Sequence, residues 1–439
     1  MAPASEVTGT RTHPVTGLVR GATLSGAIVV ALVGHQVFSG SKELLDLPIW
    51  ILALMAFAVI VVGQVAAFAS WWFLRYVIDA DELRVTSGVL TKNSRRVAFE
   101  RIQSVDLAEP LLARLAGLAE VRVETAGGKD ARTVLRFLQR DDALATRRLL
   151  LERAHGRPGD DRDGVTIDDD THRVVIAEVG PDRIIIGTLL SLDFAFAAVG
   201  TVAVLVSLLW TQQVLLLVGG TFALGTILVR IIVDRVLQQW GFRLSSGERG
   251  LRIERGLLSR TSQTIPFDRV QGIRIVEPFV WRRFGWRSLE VDVAGYGRSG
   301  ESSKELSSST LLPIADAATA RLVIDQLIPG IDIEPPQRTA ASSRSWPFAP
   351  IGWRYRWVGA DAVGFVARSG WIARHTDLIP HARTQSVEIR QGPLQRWRRV
   401  ATVEVHTPDG PVDADGRHLP AETARAVALD QLERARVAR

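Results

Sequence analysis

Apolar positions along this chain fall into two textures. In four stretches, Gly21–Phe38, Ile49–Leu74, Ile184–Trp210 and Val214–Val233, they run on almost without interruption. Elsewhere they mostly alternate with polar positions, as half-buried strands do, and a helical period returns near the ends of segments. Ile49–Leu74 carries no charge and exceeds the ~20 residues needed to cross a hydrocarbon core. Ile184–Trp210 carries one acid, Asp193, and Val214–Val233 carries Arg230 near its end, where a long side chain can reach an interface. The stretches come as two close pairs, joined by Ser39–Pro48 and Thr211–Gln213, and predict two transmembrane helical hairpins. The first begins only at Gly21, lacks a small-residue cleavage site and leads into another apolar stretch, which argues against a cleaved signal peptide. Arg20, Arg75, Arg84, Arg173, Arg183 and Arg235 flank the inner ends, whereas the hairpin tips offer only Lys42. The positive-inside rule then puts both termini and the large segments in the cytoplasm. Trp50 and Trp210 fall at the outer interface and Trp71, Trp72 and Trp240 at the inner one.

The polar segments repeat one another. Gly88, Gly256 and Gly370 are each followed by two apolar residues. Thirteen positions after each stands an arginine (Arg101, Arg269, Arg383), and two further on a glutamine (Gln103, Gln271, Gln385). The local strings are RIQSVDLAEPLLARLAG, RVQGIRIVEPFVWRRFG and RTQSVEIRQGPLQRWRR. The alternating strings VRVETAG, LEVDVAG and VEVHTPD begin at Val121, Leu289 and Val403, at one constant spacing from each arginine. A constant register over three copies marks one structural unit used three times. Each copy predicts a strand, a glycine turn, a strand ending in Arg-x-Gln, a short amphipathic turn (Leu111–Leu115, Phe279–Phe284), an alternating strand and a closing helix. Those helices are expected at Asp141–Ala154, Asp316–Ile328 and Ala421–Val437, with Asp141 and Asp316 suited to helix starts and Pro313 and Pro420 just before.

This progression resembles the bacterial pleckstrin-homology (PH) domain of the DUF304 (bPH2) type. Two apolar hairpins with three such domains are similar to the YdbT-like membrane proteins. The resemblance implies two packed, bent antiparallel sheets with a C-terminal helix across one opening, and no catalytic residue. It suggests a role in envelope stress or resistance to membrane-active peptides. The expected fold class is a multi-pass α-helical membrane protein with three α+β PH-like domains, each a bent antiparallel β-sandwich or barrel capped by a C-terminal helix. The expected order is a flexible tail (1–16), hairpin 1 (17–74), PH-like domain 1 (75–155), an acidic linker (156–182), hairpin 2 (183–236), PH-like domain 2 (237–330), a linker (331–345) and PH-like domain 3 (346–439). The third copy departs most: Gln391-Gly392-Pro393 replaces Glu-Pro-Leu/Phe, and Arg399 stands where the others have Gly117 and Gly285. The second copy adds a polar loop, Arg298–Thr310.

Composition narrows the chemistry. The absence of cysteine removes thiolate nucleophiles, cysteine metal sites and disulfide scaffolds. Of 53 basic residues only Lys42, Lys92, Lys129 and Lys304 are lysines. The net charge of +6 is a remainder. Gly156–Asp182 holds eight acids against three arginines, whereas Arg344–Arg439 holds fifteen arginines against ten acids. The chain has no P-loop, no Gly-x-Ser-x-Gly elbow and no His-Glu-x-x-His, and its eight histidines show no ligand spacing. No enzyme activity, cofactor or metal is therefore expected.

The Arg-x-Gln motif reads as framework. A Gln amide can satisfy turn backbone, and the neighbouring Arg can pair with an acid such as Glu109 or Glu277. Basic clusters are the better binding candidates: Arg95 and Arg96; Arg282, Arg283 and Arg287 with Trp281 and Trp286; and Arg396, Arg398 and Arg399 around Trp397. Guanidinium meets phosphate bidentately and indole suits the headgroup layer, so these residues are candidates for lipid headgroups or partner proteins. Asp193 would be an intramembrane polar residue, or would lie at the boundary if spanning starts near Phe194. The expected function is a non-catalytic membrane scaffold, and the alternative is lipid or antimicrobial-peptide transport or protection by the helices. Expected partners are membrane lipids, a smaller single-PH-domain membrane protein or a second copy of the chain, but not nucleic acid.

Overall fold

The computed structural model describes residues 10–11, 49–72, 75–79, 81–87, 93–125, 132–155, 173–211, 224–248, 250–294, 310–407 and 412–439. The predicted span Gly21–Phe38, the first half of Val214–Val233, the Gly88 turn position, residues 156–172 and almost all of the 298–310 loop lie outside them. Strands are β1 (Thr10–Arg11), β2 (Arg75–Ile78), β3 (Glu82–Ser87), β4 (Asn93–Ala98), β5 (Ile102–Pro110), β6 (Leu118–Thr125) and β7 (Arg132–Gln139). There follow β8 (Val174–Val179), β9 (Phe242–Ser246), β10 (Gly250–Arg255), β11 (Ser259–Pro266), β12 (Val270–Pro278), β13 (Arg287–Val293) and β14 (Thr310–Ala315). The last are β15 (Arg338–Ala340), β16 (Trp357–Ala360), β17 (Gly364–Ser369), β18 (Ala373–Pro380), β19 (Ser386–Arg390), β20 (Val400–His406) and β21 (Ala414–Pro420). Helices are α1 (Ile49–Trp72), α2 (Leu111–Leu115), α3 (Arg140–His155), α4 (Pro181–Leu189), α5 (Leu192–Thr211), α6 (Phe279–Arg283), α7 (Ala317–Leu327), α8 (Pro393–Trp397) and α9 (Ala421–Val437).

These elements overturn the expectation of a multi-pass helical membrane protein. Four antiparallel sheets organise the described residues, and among those residues no single helix is long and apolar enough to cross a membrane. The helix α1 runs over Ile49–Trp72, with the shorter apolar segment Phe57–Ala69 inside it. The predicted span Ile184–Trp210 is two helices, α4 and α5, broken at Leu190–Ser191, which meet the length and composition of a span only together. The break has a local cause. Thr188 Oγ1 donates to Ile184 O at 2.7 Å. Ser191 Oγ donates to Thr188 O, also at 2.7 Å. Hydroxyls thus take up carbonyls at the end of α4. An uninterrupted apolar run reports an apolar environment; it does not report a continuous helix.

The chain divides into two compact units: Met1–Thr171, Phe194–Gln238 and Arg255–Gln263, and then His172–Asp193, Gln239–Glu254 and Thr264–Arg439. In the first, β1 to β4 form one sheet in sequence order, and β7, β6 and β5 lie side by side in another. Leu83, Val85, Phe99, Val105, Val121, Val123 and Leu135 fill the core, which Ala143 and Leu150 of α3 close. Burying these side chains supplies about 1.5–3 kcal/mol for each large one. Arg147 is buried with them, and its Nε donates to Val105 O at 3.0 Å. The cation is therefore not left unsatisfied.

In the second unit, α7 begins at Asp316, whose carboxylate accepts from Thr319 N at 2.8 Å, the bond of an N-cap. It buries Ala320, Val323, Ile324 and Leu327 on β13 and β14. The helix α9 covers β19, β20 and β21 with Ala424, Ala428, Gln431 and Ala435.

All three repeats build the same hairpin in the same register. Val105 pairs with Val123, Ile273 with Val291, and Val387 with Val405. A 3-10 turn precedes each, at Phe99–Arg101, Phe267–Arg269 and His381–Arg383. Repeats are also joined strand to strand. In the second unit β12 pairs with β18 from Ile273↔Leu378 to Pro278↔Ala373, giving the sheet β14-β13-β12-β18-β17-β16-β15. In the first unit β5 pairs with the start of β11, from Leu107↔Ser262 to Pro110↔Ser259. Pro110 and Pro278 hold one position of the repeat, and Ser259 and Ala373 another, so both joints share one register.

Candidate functional site

The short helices α6 and α8 that follow β12 and β19, with the turns just after them, carry most of the predicted binding residues, and the fold treats them unequally. After β12, Trp281 is buried and its indole Nε1 donates to Gly187 O at 3.1 Å, which makes it a core residue and not a surface one. Arg287 pairs with Glu277 at 3.1 Å. Arg282 turns its guanidinium onto the carbonyl oxygens of Trp371 (2.7 Å) and Ile372 (3.5 Å), at the entrance of β18. Burial, and then Arg374, lower its proton affinity. Trp286 packs on Phe284 with ring centroids 5.3 Å apart. Within this cluster only Arg283 stays exposed, beside the exposed Phe279 and Phe284. Of the other arginines here, Arg282 braces the approach to β18, and Arg287 ties β13 to β12.

At the centre of that joint, Arg274 meets Asp377 with contacts of 2.6 and 3.2 Å. Burial pushes the Asp377 carboxyl up to about 7, opposed by the Arg274 guanidinium. Glu277 lies between Arg287 and Arg374, which is 3.5 Å away. In the first repeat Glu109 pairs with Arg140 at 3.0 Å. The acids after the Arg-x-Gln motif thus pair with arginines outside it. Within the motif Gln271 Nε2 donates to Arg269 O at 3.3 Å, and Arg383 donates to Asp268 O. Arg101 is exposed, Gln385 is exposed, and the Gln103 side chain lies outside the described residues. Gly256 and Gly370 adopt φ of +109° and +87°, where a Cβ would run into Ser259 O or Ala373 O.

The third repeat presents a different surface. Trp397 at the end of α8 is 76% exposed. Arg398 stacks over its ring at 5.4 Å, a cation–π contact. Arg398 also donates to Arg344 O at 3.0 Å, while Arg396 and Arg399 are exposed beside the exposed Leu394. Arg399 adopts a φ of +53° where Gly117 and Gly285 have +67°. Apolar side chains ringed by guanidinium groups suit a headgroup layer. In the first unit Arg95 and Arg96 stand on β4, half-buried and exposed respectively. Asp193 is exposed in the first turn of α5, after the break, where the helix dipole favours an acid.

Among the described residues one group has the spacing of a cation site: the ligand atoms of Glu388, Glu404 and His406 lie within 4.8 Å of one another. Arg390 already reaches Glu388 at 2.9 Å and Glu404 at 3.4 Å, so a guanidinium offsets the acids there.

Matched to family models, the chain fits the bacterial PH domain three times, over residues 26–154, 185–331 and 338–436. The chain belongs to the bacterial PH domain family. A relative among curated proteins, the UPF0699 transmembrane protein YdbT of Bacillus subtilis (strain 168), is 24% identical over 298 residues. The match covers 63% of this chain and 57% of that protein, so the chain spans little more than half the relative's length. The hairpin and the 3-10 turn recur within each of the three matched segments. What sequence reading missed was the joint. Glu109 and Glu277, and Arg260 and Arg374, recur at equal spacing in the repeats, and that coincidence was its available signal.

Proposed function

We propose that the protein is a non-catalytic, membrane-associated scaffold whose PH-like repeats bind lipid headgroups and partner proteins on the cytoplasmic side of the cell membrane. The observation that carries this reading is the apolar surface of α1 and α5. Val62 is 68% exposed, Phe196 69% and Trp210 88%, with Phe57, Val65, Val199 and Val206 also exposed. Water does not tolerate apolar helix surface on this scale, and lipid covers it without cost. The relative's description as a transmembrane protein supports the same environment. The exposed Trp397, Arg396 and Arg399 are the headgroup contacts in this reading. The test is cell fractionation of the full chain. It is expected to sediment with the membrane fraction at physiological salt; quantitative recovery in the soluble fraction would overturn the proposal.

A further inference from the structure

The two strand joints define a rule for covering a sheet edge. The strand after the Arg-x-Gln motif is completed by the strand that precedes the same motif in the next repeat: β5 by β11, and β12 by β18. Three repeats make two such joints and leave one edge of each kind over. The strand β19, third in the series β5, β12, β19, pairs only with β20 among the described residues. The strand β4, first in the series β4, β11, β18, pairs only with β3 among them. Both present the geometry of their joined counterparts. Glu82 pairs with Ala98 as Gly364 does with Pro380, and Val387 pairs with Val405 as Ile273 does with Val291.

We propose that β19 of one copy of this chain pairs antiparallel with β4 of a second copy, extending the series of internal joints between molecules. An open sheet edge is a template for another strand, and backbone pairing supplies the affinity. The register of the β12–β18 joint, carried over position by position, sets Asn93 opposite Arg390, Ser94 opposite Ile389, Arg95 opposite Glu388 and Arg96 opposite Val387.

The charges fit this register. Across β13, β12 and β18, the acid Glu290 faces the base Arg274, which faces the acid Asp377. Across β20 and β19 the same row reads Glu404 opposite Glu388, two like charges in direct register. Like charges so placed repel. Arg390 offsets them from within its own strand, and Arg95 of the second copy brings the base that the cross-strand row lacks. Ile389, 44% exposed on an edge strand, would be covered at the same time. The contact is heterologous: each copy keeps one edge to give and one to receive, so assembly continues until a ring closes.

The chain's lack of cysteine makes the test direct. Two full-length copies with different tags are co-expressed, one carrying Ser94→Cys and the other Ile389→Cys, and the cells are oxidised. A covalent heterodimer is expected. The pair Ser94→Cys with Arg390→Cys is the control, because a one-residue slip moves the side chain to the other face, and it should crosslink at least several-fold less. Adding Glu388→Arg to the Ile389→Cys copy should cut the yield several-fold, and adding Arg95→Glu to the other copy should restore it. No heterodimer, or equal yields from the 389 and 390 pairs, would overturn the proposal. Both substituted positions carry exposed side chains, and unchanged membrane levels of each variant check that folding is intact.

Discussion

At the β5–β11 joint Arg260 stands opposite Glu109, and at the β12–β18 joint Arg374 stands opposite Glu277. One polar pair is therefore common to both. Further along the strands the joints diverge. The second buries Arg274 against Asp377 at 2.6 Å, whereas the first carries Asp106 and Gln263 at the corresponding repeat positions. The buried Arg274–Asp377 pair is not what makes the joint, since the same register exists without it. The backbone ladder and the turn that aims the incoming strand are common to both. Gly256 leads into β11 and Gly370 into β18, each at positive φ. The side chains then tune how firmly each joint is held and how it responds to pH.

The harshest way to break the comparison is at those turns. Gly256→Val and Gly370→Val each place a Cβ against a backbone carbonyl oxygen, in a region of φ that branched side chains avoid. Each should cost about 3 kcal/mol or more, read as a loss of melting temperature and of the folded fraction in denaturant. Equal losses would show that the turn governs both joints alike; a tolerated Gly256→Val would show that the first joint is aimed by something else.

Arg274→Ala should act on the second joint alone. Removing one partner of a buried pair usually costs about 3–5 kcal/mol. Here Asp377 can take a proton because burial already raises its pKa to about 7. A smaller loss of about 2–3 kcal/mol is therefore expected near neutral pH. Denaturant titration followed by tryptophan fluorescence reads it. Asp106→Ala is the matched comparison in the first joint.

The pH dependence has a definite sign. The folded Asp377 binds its proton more tightly than the unfolded one, whose pKa is the ordinary 3.8. The native state then holds more protons between pH of about 4 and about 7, and stability falls as pH rises through that window. Asp377→Asn keeps a hydrogen-bond acceptor for Arg274 and removes the titration. Its stability should be flatter than wild type across the window, checked by melting temperatures at pH 4.5, 6 and 7.5.

Much of this architecture was legible in the sequence. The constant spacing of Gly256, Arg269 and Gln271 with Gly370, Arg383 and Gln385 reports a repeated turn and hairpin, because those positions need special backbone or satisfy it. The joint was less legible: which strand edge meets which is a long-range choice, and Glu277 gives no local sign that its partners are Arg287 and Arg374. The headgroup candidates could not be told apart for a related reason. Composition puts Trp281 and Trp397 into one class, and only packing separates the buried indole bonded to Gly187 from the exposed one. The apolar run Ile184–Trp210 hid its break because Thr188 and Ser191 disturb the helix through hydroxyls that hydropathy barely counts.

The mildest substitution separates fold from function in the third repeat. Arg399 occupies a left-handed position, φ +53°, that the first two repeats give to Gly117 and Gly285. A residue with a Cβ pays roughly 1 kcal/mol there. Arg399→Gly should therefore stabilise the chain by about 0.5–1 kcal/mol, a small rise in melting temperature. If this turn contacts headgroups, the same change removes one cation near the membrane, which is worth about 1 kcal/mol of attraction to anionic lipid. The variant should be more stable yet retain less anionic lipid when the detergent-released chain is weighed by native mass spectrometry. Arg399→Ala should lose the lipid without gaining the stability. Wild-type lipid retention by both variants would remove Arg399 from the headgroup surface and leave its strained backbone without a binding role to explain it.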